Sequence, residues 1–250
     1  MIKFNKPFYN KDFKSFINKE FGKFELVGNS KYTRRAEKIL EKIYTKSTVH
    51  LTTSCTHALE ISAMLLNIKA NDEVLLPSYT FSSTANAFLL RGAKIKFVDS
   101  SNTSPNISID DLESKITNKT KCLVIVHYGG AACDMDKILF LKNKYNFYLV
   151  EDAAQAIGSK YKNKPLGTFG EIGCISFHDT KNISCGEGGA IILNKKKFIK
   201  RSEIIREKGT NRTDFIKGKI NKYNWVDIGS SYIPSDLLSI LLIYQLKHLY

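Results

Sequence analysis

FYLVEDAAQAIGS, residues 147–159, holds an apolar, strand-like run, Phe147 to Val150, that ends on two carboxylates and passes at once into a small-residue turn. A strand that is apolar along its length is buried on both faces, which is the habit of parallel sheets covered by helices. The neighbouring sequence repeats the pattern. Strand-like runs occur at Thr48 to Leu51, Glu73 to Leu76, Ile95 to Val98, Cys122 to Val126, Gly173 to Phe177 and Ala190 to Leu193. Segments of helical period lie between most of them: Thr56 to Leu66, Ser82 to Leu90, Ile109 to Ile116 and Asp134 to Lys144. The alternation predicts an α/β fold, a mostly parallel sheet with helices on both faces, and polar sites gather at the carboxyl ends of such strands.

The 250 residues, 43% of them hydrophobic, suffice for one large domain with its own core, and no repeat or linker divides them. The final stretch SDLLSILLIYQLKHLY, residues 235–250, reads as a helix with no stop signal, apolar enough that a lone monomer would leave part of it exposed. Five cysteines, odd in number and without metal-ligand spacing, fit a reducing compartment, so the chain reads as cytoplasmic and metal-free. The N-terminus MIKFNKPFYNKDFKSF lacks an apolar signal segment, and nowhere does an apolar run reach the roughly 18 residues of a membrane span. The formal charge of +14 admits a nucleic-acid surface or an anionic small molecule. The lysines are scattered singly and in pairs, without interleaved aromatics, which favours a solvated surface over a nucleic-acid partner.

Three strand ends carry reactive groups. Asp152 and Gln155 follow FYLV; Lys181 follows GCISF in the word HDTK; and HLTT leads into SCTHALE, where Ser54 or Thr53 can cap a helix whose first turn offers N–H groups to an anion. Taken singly, each has a plain structural reading: a turn aspartate, a surface lysine, an ordinary helix start. Taken together they match the needs of pyridoxal phosphate, namely an amine for its aldehyde, a carboxylate for its pyridine nitrogen and a helix N-terminus for its phosphate.

The words around these residues are specific. EDAAQAIGSKYKNKPLGTFGEIGCISFHDTKNISCGEGGA (151–190), PSYTFSSTANAFLLRGAKIKFVD (77–99), VHYGGAACDMD (126–136) and REKGTNR (206–212) resemble, in order, the DegT/DnrJ/EryC1/StrS family of sugar aminotransferases. The resemblance implies the large domain of fold type I, spanning residues 1–250, with pyridoxal 5'-phosphate as cofactor and the C-terminal small domain of relatives absent. Within the family, the match is best to enzymes that make dTDP-4-amino-4,6-dideoxygalactose. The implied reaction moves an amino group from an amino-acid donor, glutamate, to a 4-keto-6-deoxy nucleotide sugar for surface polysaccharide.

By the same resemblance, Lys181 holds the cofactor covalently and shuttles the proton, Asp152 pairs with the ring nitrogen, and Gln155 bonds the ring hydroxyl. Phe81 stacks on the ring, with Tyr79 the competing choice. Cys55, Thr56 and Ser176 hold the phosphate; position 55 is often glycine in relatives, so Cys55 acts through its backbone. Ser231 reaches the phosphate of a neighbouring subunit, which implies a homodimer with shared sites. The glycines of GEGG serve backbone geometry, Glu187 has no assigned role, and His178 reads as structural. Two competing functions stand beside this one: a truncated, noncatalytic homologue kept as a cofactor-binding or dimerisation module, and a related dehydratase. The dehydratases carry histidine in place of the lysine, so Lys181 counts against them.

Overall fold

The computed structural model describes residues 9–23 and 26–249; the N-terminal residues 1–8 and Tyr250, on which two of the sequence expectations bear, lie outside them. Among the described residues eleven strands occur: β1 (Thr48–Thr52), β2 (Glu73–Pro77), β3 (Lys94–Val98), β4 (Ser100–Ser101), β5 (Ser104–Ile107), β6 (Thr120–Val126), β7 (Tyr148–Asp152), β8 (Lys160–Tyr161), β9 (Lys164–Pro165), β10 (Ile172–Ser176) and β11 (Gly189–Leu193). Seven form one sheet in the order β1-β11-β10-β7-β6-β2-β3, while β4 with β5 and β8 with β9 make two short hairpins. Within the seven-stranded sheet, β11 runs antiparallel to both of its neighbours, and every other pairing is parallel. All main-sheet strands except β11 therefore present their carboxyl ends at one edge.

The helices are α1 (Phe13–Glu20), α2 (Lys31–Ile43), α3 (Cys55–Leu65), α4 (Ser82–Leu89), α5 (Ile109–Lys115), α6 (Met135–Tyr145), α7 (Ile199–Arg206), α8 (Arg212–Ile216) and α9 (Asp236–Leu246). Side chains of a strand leave alternate faces, and the core divides accordingly. Val74, Leu76, Cys122 and Val124 pack with α3 and α4, whereas Leu75, Leu123 and Ile125 pack with α5 and α6 on the opposite face. A third cluster, with Val49, Leu51, Ile175 and Ile192, is covered by α2 and α9. Ser54, one of the two caps read for α3, accepts from the His57 N–H, and Ser108 and Asp134 likewise accept from the N–H groups of Asp111 and Lys137, capping α5 and α6.

The last helix is mostly interior. α9 is buried, with Ile240, Leu242, Ile243, Tyr244 and Leu246 each under 7% exposed, and it packs along α2. One apolar side chain of this helix, Leu237, stays 40% exposed, so the expected exposure is confined to its first turn. Its first residue, Asp236, is wholly buried and accepts from the N–H groups of Tyr32 (3.2 Å) and Thr33 (3.0 Å), from the Thr33 hydroxyl (2.7 Å) and from the Ser30 hydroxyl. That carboxylate fills the role of an N-cap for α2, whose own Ser30 makes no side-chain cap. Among the described residues no helix is long and apolar enough to cross a membrane.

Candidate active site

A cleft of about 510 Å³ opens at the carboxyl edge of the sheet. Seven of the eight expected residues line it: Cys55 and Thr56 from the start of α3, Phe81 before α4, Asp152 ending β7, Gln155 in the following turn, Ser176 ending β10, and Lys181 beyond it. Ser231 does not. It lies exposed on the segment after α8, bridged to Glu207, and is outside the cleft of its own chain.

Local structure explains each placement. The start of α3 is pressed onto β11: a Cβ on Gly189 would lie 2.3 Å from the Ser54 carbonyl carbon and 2.4 Å from the Cys55 nitrogen. Only glycine permits that approach, so the GEGG word is a backbone device, as its sequence reading holds. Ser54 caps the His57 N–H at 3.1 Å, and the Thr56 hydroxyl meets that of Ser83 at 2.8 Å. The Cys55 thiol is buried, and burial, followed by the Asp152 carboxylate, pushes its pKa well above the usual thiol range. It stays protonated, which leaves its backbone as the useful part.

Asp152 is 5% exposed. Its carboxylate accepts from the Thr84 hydroxyl at 2.8 Å and from the Ala154 N–H at 3.2 Å, and Thr84 in turn meets Thr80 at 2.7 Å. Burial raises the Asp152 pKa above the ordinary aspartate value; the Thr84 and Ala154 bonds and the nearby Lys181 charge pull it back. A cation brought against this carboxylate would relieve the cost of burying it. Gln155 accepts from the Gly129 N–H at 2.5 Å, and Ser176 accepts from the His178 N–H at 3.3 Å. Above them stands an aromatic rim. Phe81 is 75% exposed, and the Tyr79 and Tyr128 rings lie 4.8 Å apart, tilted by 33°, with the Tyr128 hydroxyl donating to that of Tyr79 at 3.2 Å. His178 contacts the Thr180 hydroxyl at 3.0 Å and Glu187 at 3.6 Å, and both His178 and Glu187 line the cleft, where sequence reading gave neither a role.

Thr84 is the residue that sequence reading missed. It lies one helical turn after Thr80, and that i, i+4 hydroxyl pair beside PSYTF was its available signal. Among the described residues no group of three or more histidine, cysteine or carboxylate side chains is placed to hold a metal.

A lysine, a buried aspartate and a glycine-seated helix start at one edge of a mostly parallel sheet define the large domain of fold-type-I pyridoxal phosphate enzymes. The chain belongs to the DegT/DnrJ/EryC1/StrS aminotransferase family, whose model matches residues 19–250. It is 37% identical to GDP-perosamine synthase of Escherichia coli O157:H7 over 193 residues, 77% of this chain and 51% of that protein. It is 35% identical over 227 residues to UDP-4-amino-4,6-dideoxy-N-acetyl-beta-L-altrosamine transaminase of Campylobacter jejuni subsp. jejuni serotype O:23/36 (strain 81-176), covering 90% of this chain and 58% of that one. The aminotransferase TlmJ from Streptoalloteichus hindustanus superposes with a TM-score of 0.90 at 27% identity, over 100% of this chain and 66% of that structure. The chain spans about half the length of the first two curated relatives it matches.

Proposed function

We propose that residues 1–250 form the cofactor-binding domain of a pyridoxal-phosphate-dependent aminotransferase that acts on a nucleotide sugar. The observation that carries this reading is the meeting of Lys181 with buried Asp152 in one cleft, beside the glycine-seated start of α3. The cleft fits the cofactor in three respects: an under-bonded buried carboxylate for a cationic ring nitrogen, a helix start for a phosphate, and an exposed aromatic, Phe81, for a ring face. When bound, pyridoxal phosphate supplies an electrophilic aldehyde and a ring that takes up an electron pair.

The residues divide that work. With the cofactor bound, Lys181 Nζ would hold its aldehyde carbon, and the same amine would take the proton from the donor's α carbon. Asp152 keeps the ring nitrogen protonated, Gln155 orients the ring hydroxyl, and Cys55, Thr56 and Ser176 hold the phosphate. The donor is glutamate and the acceptor a 4-keto-6-deoxy nucleotide sugar, giving dTDP-4-amino-4,6-dideoxygalactose for surface polysaccharide in the cytoplasm. Two relatives bear GDP- and UDP-sugar names, so those acceptors are the proper comparison.

The working unit is a homodimer in which Ser231 serves the partner's site. Support comes from the segment that carries it. Phe215, Tyr223, Trp225 and Val226 are exposed there, Trp225 to 79%, while Arg201 clasps Asp227 at 2.8 Å and holds the segment's base. Exposed aromatics on an anchored segment suit an interface.

The test begins with pyridoxal phosphate added to the purified chain, followed by borohydride and peptide mapping. A new visible band and a label at Lys181 are expected; no band, or a label elsewhere, overturns the reading. Glutamate should then bleach the band, and dTDP-, GDP- and UDP-linked keto sugars, offered in turn, should restore it in that order of rate. Sedimentation should give a dimer.

A further inference from the structure

Glu151 and Asp152 are successive residues of β7, so their side chains leave opposite faces of the sheet. Asp152 enters the cleft. Glu151, 0% exposed, turns away and receives four hydrogen bonds: from the His127 ring Nε2 (3.0 Å) and from the N–H groups of Gly167 (2.7 Å), Phe169 (2.6 Å) and Gly170 (2.7 Å). An ionised carboxylate has about four acceptor positions, and here all are filled. His127 is also fully buried, and its Nδ1 accepts from the Cys133 N–H at 3.3 Å. Nδ1 is therefore the bare nitrogen, and Nε2 carries the proton that Glu151 receives.

The backbone of His127 continues the pairing of β6 with β7. Its N–H donates to the Asp152 carbonyl at 3.1 Å, and its carbonyl accepts from Gly130 N–H at 3.0 Å. The enclosed turn runs through two left-handed glycines, Gly129 at φ 61° and Gly130 at φ 79°, and Gly129 N–H holds the Gln155 carboxamide. One ring thus ties a buried carboxylate behind the sheet to the turn that touches both Asp152 and Gln155.

We propose that His127, locked by Glu151, is a positioning residue: it fixes the 127–130 turn and thereby sets where Gln155 and Asp152 meet a ligand in the cleft. This rests on the reading of those two residues as cofactor contacts. It assigns a purpose to a histidine and a glutamate that touch no ligand themselves. A purely structural pair would stabilise the domain without affecting how the cleft holds its ligand.

Two variants separate the cases. His127→Asn is too short to reach Glu151, whereas His127→Gln retains a donor at about the place of Nε2. In the cofactor-free protein, His127→Asn should speed hydrogen exchange at Gly129 and Gly130 about tenfold relative to core amides, the loss of roughly one hydrogen bond, and His127→Gln should restore protection. With pyridoxal phosphate added, the Asn variant should bind about tenfold more weakly and shift the pH midpoint of the bound visible band, and the Gln variant should recover both. Unchanged exchange at Gly129, or equal losses in both variants, overturns the proposal. If His127→Asn does not fold, Glu151→Gln is measured in the same way, since its amide group presents a donor where a donor already points. A wild-type chain that binds no pyridoxal phosphate refutes the functional reading, while the exchange experiment still decides whether His127 fixes the turn.

Discussion

Two buried aspartates mark two regions of this molecule. At the α2–α9 junction, Asp236 is 0% exposed and receives four hydrogen bonds; in the cleft, Asp152 is 5% exposed and, among the described residues, receives two. Burial is nearly equal, yet the junction leaves its carboxylate saturated and the cleft leaves its carboxylate short of partners. A buried acid whose acceptor positions are filled from within the chain is a structural fastening. One left half-bonded, with its pKa driven up by burial, is a place made for something else.

The largest expected effect sits in the cleft. Lys181→Ala should abolish borohydride-trapped attachment of pyridoxal phosphate altogether, with thermal stability of the cofactor-free chain changed by less than about 0.5 kcal/mol, as for a half-exposed side chain. Mass mapping that finds the label on another lysine would remove the distinction between the regions. At the junction the pattern should reverse. Asp236→Ala strands two hydroxyls and two backbone N–H groups, and should cost about 3 kcal/mol in urea unfolding while the folded fraction binds pyridoxal phosphate as before.

The two regions also differ in how far the sequence reveals them. The seven main strands are short runs bounded by turns, so all were legible; of the seven cleft residues, Asp152, Gln155 and Lys181 stood out at strand ends, and Cys55, Thr56, Phe81 and Ser176 came only from the family resemblance. α2 was not read, although Tyr32, Ala36, Ile39, Leu40 and Ile43 of KYTRRAEKILEKI recur at helical spacing and that signal was available; only its start is unmarked locally. What fixes that helix is Asp236, distant in sequence, which no local pattern announces. The hairpins at 100–107 and 160–165 have two- to four-residue strands, too short for a period to register. The antiparallel course of β11 was hidden for a related reason: its GAIIL run is buried on both faces like a parallel strand, and direction leaves no trace in composition.

Gly189 stands where the two regions meet, since β11 carries core residues of the α2–α9 side and supports the α3 start. Gly189→Ala forces a Cβ to within 2.4 Å of the Cys55 nitrogen, and backbone cannot yield as a flexible side chain would. A stability loss of about 2 kcal/mol is expected, accompanied by a fall of about tenfold in affinity for pyridoxal phosphate. Loss of stability with unchanged affinity would show that the start of α3 does not depend on its seat against β11.

The smallest effect has the most telling sign. Because burial raises the Asp152 pKa in the folded chain, the folded state binds more protons than the unfolded state between the ordinary aspartate value, 3.8, and the raised one. Stability of the cofactor-free chain therefore falls as pH rises through that window, and above it the whole cost of the buried charge is present. Asp152→Asn removes the charge while its carboxamide can still accept from Ala154 N–H and meet Thr84. The variant should be more stable than the parent at pH 7, and the two should converge below about pH 4. Bound pyridoxal phosphate should cancel the advantage, because a ring cation then supplies what the carboxylate lacks. Urea unfolding at pH 4 and pH 7, with and without cofactor, measures all four corners. If Asp152→Asn instead destabilises the free chain as strongly as Asp236→Ala, the cleft aspartate is a fastening like the other, and the contrast between the two regions fails.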